Sequence, residues 1–244
     1  MESNKFEFEQ RFLSLQDVLQ MMKDAIHNKK PFSLARFGHA EIYYSLWPTS
    51  TAYQEGLDYC AHYNGATAEP EKIKELVIGA LLSTQVVGLL SNEEHDFFHR
   101  ETLRLLTSLD YEPKYVCSPF ITHPMSKDMD FWDTLRPLNV VLVGRRSLEA
   151  KPLFEKMGVN IVDTKQLEGI NQINTLQNEL VSKKAEWDIA ILAAGVPATI
   201  LTDKLAKATN NVVVDFGHAL DVMIDGEAFD FDKLVEEYRD NMIE

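Results

Sequence analysis

An imidazole and a carboxylate stand two residues apart at His39 and Glu41, just after the apolar segment Phe32 to Phe37 and a glycine. Carboxylate oxygens are the ligands that Mg²⁺ and Mn²⁺ prefer, and Mn²⁺ also accepts imidazole nitrogen. A diphosphate would complete the coordination of such an ion. The pair therefore predicts a metal site for Mn²⁺ or Mg²⁺. The alternative is that His39 caps a helix and Glu41 satisfies the helix dipole.

Two arginines follow a second apolar segment. Gly144 ends this segment, and Arg145 and Arg146 come next. Backbone N–H groups and two guanidinium groups would meet an anion there, and Ser147 is placed to cap the following helix. The alternative is a surface turn with solvated arginines. The spacing does not match the GxGxxG fingerprint of dinucleotide sites.

Two further apolar segments end in polar or glycine-rich groups, "AAGVPAT" (193 to 199) and "DFGHALD" (215 to 221). Exposed N–H groups and a threonine hydroxyl in the first segment, and clustered titratable groups in the second, suit a ligand site. The alternatives are simple turn chemistry and a structural histidine. The candidate residues are Gly195, Pro197, Thr199, Asp215, Gly217, His218 and Asp221.

Apolar segments and helical patterns alternate along the chain. Strands are predicted at 32–37, 85–90, 114–121, 139–144, 159–164, 188–195 and 211–218. Helices are predicted at 14–28, 40–47, from 70, and at 91–109, 126–135, 147–158, 170–184, 197–210 and 230–243. Ser14 with Asp17, and Ser91 with Glu94, have the spacing of helix caps.

This alternation predicts an α/β fold, a single Rossmann-like, doubly wound, mostly parallel sheet with helices on both faces. One domain would span residues 1–244, with an N-terminal helix and an excursion at about 48–68. Ligands of such sheets bind beyond the carboxyl ends of the strands. The polar segment ends are therefore expected to meet at one edge.

Composition narrows the function classes. There are 24 Lys and Arg against 38 Asp and Glu, a formal charge of −14, which argues against a general nucleic-acid binder. Cys60 and Cys117 form neither a disulfide framework nor a metal-ligand spacing, which fits a reducing cytoplasm. No signal peptide is apparent, and the longest apolar run, Ile189 to Val196, is too short to span a bilayer. We expect a cytoplasmic protein.

The segment "RFGHAE" and the block "AAGVPATILTDKLAKATNNVVVDFGHALDV" resemble the GT-D glycosyltransferases. The N-terminal motif of that family has the form RFGDGE, with an Asp-any-Glu pair. Its C-terminal block has a Gly-Pro loop, a helix with Asp-Leu-Ala and a strand end "DIGH". The resemblance runs from about Phe32 to Asp221.

The resemblance implies a Rossmann-like hexosyltransferase that uses a nucleotide-sugar donor of the UDP-glucose type. It implies a divalent metal, Mn²⁺, between the Asp-any-Glu motif and the diphosphate. Glu41 matches the glutamate of the motif, and Arg36 and Gly38 match the residues before it. His39 stands where the family has Asp, which lowers the expected affinity for a hard cation.

The expected reaction is transfer of the sugar to a hydroxyl of a glycan or glycosylated acceptor. Glu41 or Asp221 is the candidate base, and His218 could assist. The departing diphosphate requires a metal or arginines, here Arg36 with Arg145 and Arg146. The rival hypotheses are a GT-D-like domain that binds without turnover and an NAD(P)-dependent oxidoreductase.

Aromatic residues concentrate in and before the excursion, and their faces could stack on sugar rings. Packing of these rings against the sheet is the alternative. They are Tyr43, Tyr44, Trp47, Tyr53, Tyr59 and Tyr63.

Overall fold

The computed structural model of the protein describes residues 8–48, 61 and 63–240. Its centre is one sheet of seven strands in the order β3-β2-β1-β7-β6-β4-β5, with every neighbouring pair parallel. The strands are β1 (Phe32–Phe37), β2 (Val86–Leu89), β3 (Tyr115–Cys117), β4 (Asn139–Gly144), β5 (Asn160–Lys165), β6 (Ile189–Ala193) and β7 (Val212–Asp215).

Helices connect these strands. Within the described residues they are α1 (Leu15–Asn28), α2 (His39–Leu46), α3 (Pro70–Ser83), α4 (Asn92–Ser108), α5 (Thr122–Lys127), α6 (Met129–Leu135), α7 (Ser147–Lys156), α8 (Ile173–Ser182), α9 (Val196–Thr209), α10 (His218–Asp225) and α11 (Phe231–Asp240). Short 3₁₀ turns occur at Phe8–Arg11, Ile170–Gln172 and Gly226–Ala228. None of the helices in this part of the chain is long and apolar enough to cross a membrane.

The sheet is buried on both faces, which explains its continuously apolar strands. Successive residues of β1 enter different cores. Leu34 belongs to a core that includes residues of α1, α6, α7 and α10, whereas Ala35 belongs to one that includes residues of α3, α4, α8 and α9. The α/β prediction of a doubly wound sheet with helices on both faces is confirmed.

Two predicted helix caps form as expected. The hydroxyl of Ser14 accepts from the backbone N–H of Asp17, and the Asp17 carboxylate accepts from the N–H of Ser14. Ser91 and Glu94 make the same reciprocal pair at the start of α4. Each pair satisfies two backbone donors that the first helical turn leaves without an acceptor.

Three predictions from the sequence are wrong in detail. Ser147 is the first residue of α7 rather than its cap, and its hydroxyl donates to the carbonyl of Lys165 at 3.2 Å. The strand predicted over 114–121 ends at Cys117, before Pro119, and the short helix α5 follows it. The strand predicted over 211–218 ends at Asp215, because Gly217 adopts a φ of 49° and α10 begins at His218.

Most of the predicted excursion, including Tyr53, Tyr59 and Cys60, lies outside the described residues, which omit 1–7, 49–60, 62 and 241–244. The prediction of one domain over 1–244 extends into these residues and stays a prediction. The end of the excursion is described. There, the carbonyl of Asn64 accepts from the N–H of Val196 at 2.9 Å, so this segment packs over the start of α9.

Candidate functional site

A cleft lies at the carboxyl ends of β1, β4, β6 and β7. Its cavity volume is about 40 Å³, and the adjoining space that is open to solvent brings the total to about 460 Å³. Residues at the ends of these four strands or directly after them form its wall, as expected for a parallel sheet. The charged and polar side chains of the wall are Arg36, Tyr63, Arg145, Arg146, His218 and Asp221.

Arg36 brings a guanidinium group to this cleft from the end of β1. Its Nε lies 3.4 Å from Oδ1 of the buried Asp215, and its Nη1 donates to the carbonyl of Pro119 at 3.4 Å. The guanidinium group packs on Gly217, where a Cβ atom would lie 1.4 Å from Nη2. Gly217 also has a left-handed φ of 49°, so both the backbone and the arginine require glycine here.

A buried polar cluster lies behind Arg36, outside the cleft wall. The side chain of Glu41 accepts from the N–H of Gly38 at 3.0 Å, and the residue is 8% exposed. The hydroxyl of Thr199 lies 3.1 Å from the carbonyl of Arg36, 3.3 Å from Oδ2 of Asp215 and 3.5 Å from Oε1 of Glu41. Thr199 therefore links the ends of β1 and β7 to the start of α2.

Burial raises the pKa of both carboxyl groups in this cluster. The pKa of Glu41 rises to about 7, because the carboxyl is desolvated and Asp215 is close, while Arg36 acts in the opposite direction. Burial also raises the pKa of Asp215, and Arg36 again opposes the change. Near pH 7 the Glu41 carboxyl is therefore partly protonated, whereas an ordinary surface glutamate would be ionised.

Arg146 is held on the cleft wall by three carboxylates. It contacts Asp225 through two hydrogen bonds of 2.7 Å, Glu149 at 3.0 Å and Asp221 at 3.3 Å. The Asp225 hydrogen bonds are the main reason that the pKa of Arg146 is raised. This guanidinium group is therefore fixed in position and permanently charged.

Arg145 lies beside Tyr63, at the end of the excursion. Its Nη2 donates to the carbonyl of Tyr63 at 3.2 Å, and its guanidinium carbon lies 5.9 Å from the centroid of the Tyr63 ring. That distance is within the range of a cation–π contact. Arg145 joins β4 to the excursion at the cleft.

Asp221 and His218 are the titratable groups of α10 that face the cleft. Burial raises the pKa of Asp221 to about 6, although Arg146 opposes the change. Burial, with Arg36 nearby, lowers the pKa of His218 to about 3. At neutral pH the Asp221 carboxylate can accept a proton, whereas the His218 imidazole is neutral and a poor base.

His39 and Glu41 face different surroundings. The His39 ring packs against Phe98 and His95 of α4, at centroid distances of 4.2 and 5.2 Å. The Glu41 carboxyl instead faces Gly38 and Thr199. Within residues 8–48, 61 and 63–240, no group of three His, Cys, Asp or Glu could hold a metal ion. His39 and Glu41 therefore do not converge on one ion in this geometry, and the Mn²⁺ or Mg²⁺ site stays a prediction.

Three other predicted site residues have packing roles. Gly195 has a φ of 60° and lies against Asn64, whose carbonyl oxygen would be 2.6 Å from an added Cβ; its backbone also borders the cleft. The ring of Pro197 packs on Gly65. Gly144 packs closely on the backbone of Ala193.

Two residues near the cleft were not predicted as site residues. Phe231, at the start of α11, contacts the rings of Tyr63 and His218. Asp225, at the end of α10, fixes Arg146. Nothing in the local pattern indicates either contact, because both depend on how α10 and α11 fold back onto the sheet.

Comparisons with known proteins find solved structures that share this architecture. A structure of the domain of unknown function 1792, described as a distinct glycosyltransferase fold, is 16% identical and covers 86% of this chain and 78% of that chain, with a TM-score of 0.58. A structure described as a new glycosyltransferase from Streptococcus sanguinis is 16% identical and covers 82% and 80%, with a TM-score of 0.54. No curated protein matches the sequence.

At these identities the two structures bear on the fold alone. The family comparison shows more than the fold, because a family model described as a GT-D fold-like domain matches residues 13–223. That range includes all seven strands and every predicted site residue. The chain belongs to the family of GT-D fold-like domains.

Proposed function

We propose that the protein is a glycosyltransferase that moves a sugar from a nucleotide-sugar donor to a hydroxyl acceptor. One observation carries this proposal. Arg36, Arg145 and Arg146 line a single cleft at the carboxyl edge of the sheet, in a chain whose formal charge is −14. Such a local concentration of guanidinium groups suits a polyanionic ligand of small size.

The diphosphate of the donor is the group that these arginines would bind. When the bond between the sugar and the diphosphate breaks, negative charge develops on the leaving oxygen. Fixed guanidinium groups stabilise that charge without reorganising. The partners of Arg36 and Arg146 hold both groups in place before the ligand arrives. We therefore propose that donor binding needs no resident metal ion.

Asp221 is the proposed base. It borders the cleft, and a pKa of about 6 leaves it mainly ionised at neutral pH while keeping it a better proton acceptor than an ordinary aspartate. It would take the proton of the acceptor hydroxyl as that oxygen attacks the sugar. Glu41 lies behind the wall, so its proposed role is to position Gly38 and Thr199.

The experiment that tests the proposal uses UDP-glucose, the donor type that the family resemblance suggests. Release of UDP is measured in EDTA for the unmodified chain and for Asp221→Asn and Asp225→Asn. Both aspartates contact Arg146, but Asp225 is not part of the cleft wall. We expect Asp221→Asn to lose about 100-fold in rate, whereas Asp225→Asn, which loosens Arg146 but keeps the base, should weaken donor binding and retain the rate at saturating donor within about threefold.

The rate should also follow the charge of Asp221. It should rise with pH through about 6 and level off above, because the base must be ionised. If the chain binds UDP but releases no UDP from UDP-glucose under any condition, the protein is a binding domain without turnover. Binding of NAD(P) without binding of UDP would contradict the proposal and favour an oxidoreductase.

A further inference from the structure

Three rings meet at the edge of the cleft next to Asp221. The rings of Tyr63 and His218 lie 5.9 Å apart and nearly parallel, at 20°. Phe231 stands almost perpendicular to both, at centroid distances of 5.4 and 5.1 Å. We call these residues the aromatic shelf.

Part of the shelf comes from outside the family match. Phe231 begins α11, beyond the matched residues 13–223, and is 37% exposed although it is a large apolar residue. An apolar ring that remains exposed beside a polar cleft suits contact with a ligand. The C-terminal helix therefore adds an apolar surface at the cleft from outside the matched residues.

The polar neighbour of the shelf indicates which ligand it fits. The hydroxyl of Tyr63 lies 3.5 Å from Oδ2 of Asp221, so a group stacked on the shelf would have a carboxylate at its edge. A pyranose offers an apolar face to an aromatic ring and hydroxyl donors at its rim. A uracil base offers mainly carbonyl oxygens at its rim, which a carboxylate would repel.

We propose that the aromatic shelf is the acceptor subsite and that the acceptor is a sugar whose apolar face stacks there. Its rim hydroxyl then lies next to Asp221, the proposed base. This inference rests on the proposed function, since it assigns the second substrate of the same cleft. Phe231 would determine which acceptors bind, and the arginines of the cleft would hold the donor.

The test measures binding of simple pyranosides to the full chain in the presence of UDP. Methyl glucoside, methyl galactoside and methyl N-acetylglucosaminide are the probes, with glycerol as the hydroxyl compound that has no ring. Saturation-transfer NMR gives the contacts and affinities, and calorimetry gives the affinity for UDP. The variants are Phe231→Ala, Phe231→Tyr and Leu82→Ala; Leu82 is a 47% exposed apolar residue of α3, remote from the shelf.

We expect at least one pyranoside to bind, with Phe231→Ala weakening it by about fivefold or more and Phe231→Tyr retaining it. Leu82→Ala should behave as the unmodified chain does. Pyranoside binding that ignores Phe231, or no such binding, would overturn the inference. So would a fall in UDP affinity in Phe231→Ala that matches the fall for pyranosides, because the shelf would then hold the nucleobase. Phe231-dependent pyranoside binding without UDP binding would instead refute only the proposed donor site.

Discussion

Buried charged groups are fully paired at one edge of the sheet and incompletely paired at the other. At the amino-terminal edge, the buried Asp203 accepts from the hydroxyl of Ser33 at 3.0 Å and pairs with Lys207 at 2.7 Å. The same Ser33 hydroxyl accepts from the backbone N–H of Gln85 at 2.9 Å. Every group in this cluster has a partner of good geometry, and the cluster joins β1 to α9.

At the carboxyl-terminal edge the pairing is incomplete. Arg36 Nε and Asp215 Oδ1 are 3.4 Å apart but do not form a hydrogen bond, and neither atom has another hydrogen-bond partner among the described residues. Glu41 is buried with its pKa raised to about 7. Groups in such costly arrangements concentrate at functional sites, so the comparison favours this edge as the place where ligand binds.

The largest expected effect on stability is at the amino-terminal edge. Asp203→Ala removes the acceptor of Ser33 and the partner of Lys207 from a buried position, and we expect the free energy of unfolding to fall by about 3 kcal/mol. Urea denaturation measures this change. The affinity for UDP should stay as it is, because the cluster is remote from the cleft. A loss of UDP affinity in the folded variant would contradict the prediction that the amino-terminal edge has no part in ligand binding.

Gly217→Ala should affect both stability and binding. The new Cβ would overlap the guanidinium of Arg36, and alanine is disfavoured at a φ of 49°. We expect a loss of about 2 kcal/mol in unfolding free energy and a drop of about tenfold in UDP affinity.

A matched glycine change separates these causes. A Cβ at Gly79 in α3 would meet no atom within 4 Å. Gly79→Ala should therefore raise stability by about 0.5 to 1 kcal/mol and leave UDP affinity unchanged. If Gly217→Ala binds UDP as well as Gly79→Ala does, Arg36 has no part in the site.

Glu41→Gln should change the pH dependence of stability. Because the folded pKa of about 7 lies above the ordinary glutamate value of 4.5, the folded state binds a proton that the unfolded state has released. Stability therefore decreases as the pH rises through about 7, by about 1 kcal/mol between about pH 6 and pH 8. The glutamine variant should lack this part of the decrease, as measured by urea denaturation at several pH values.

Asp17→Asn is the control for Glu41→Gln. Asp17 is also a capping carboxylate, but hydrogen bonds from Ser14 lower its pKa, so it is ionised throughout this pH range. The decrease between about pH 6 and pH 8 should persist in Asp17→Asn. If the stability of Glu41→Gln decreases over this pH range by as much as that of the unmodified chain, Glu41 is not the titrating group.

Local patterns were sufficient to predict the sheet and the edge that carries the cleft. Continuously apolar strands between helices indicate a doubly wound sheet, and its topology brings Arg36, Arg145 and His218 together. The orientation of side chains was not predictable in the same way. Glu41 has the spacing of a metal ligand and also of a helix cap, and only the structure, in which the buried Glu41 carboxyl accepts from the N–H of Gly38, distinguishes the two.

Contacts between residues that are distant in the sequence could not be predicted either. Phe231 lies beyond the last strand, after α10 and a 3₁₀ turn. Its ring contacts the ring of Tyr63, which belongs to the first third of the chain. The same limit applies to Ser147, whose sequence position suits a cap although its hydroxyl contacts Lys165 of the neighbouring strand. Such contacts depend on tertiary packing rather than on local sequence preference.

The central claim is that the arginine cleft binds the diphosphate of a nucleotide without a resident metal. Calorimetric titration with UDP and with uridine, both in EDTA, tests it most directly. Arg145→Gln is the variant of choice, because changes at Arg36 or Arg146 would also disturb the carboxylates that pair with them. We predict that the unmodified chain prefers UDP over uridine by about 100-fold and that Arg145→Gln reduces this preference by about tenfold. Equal affinity for UDP and uridine, or a preference that appears only with Mn²⁺, would contradict the account.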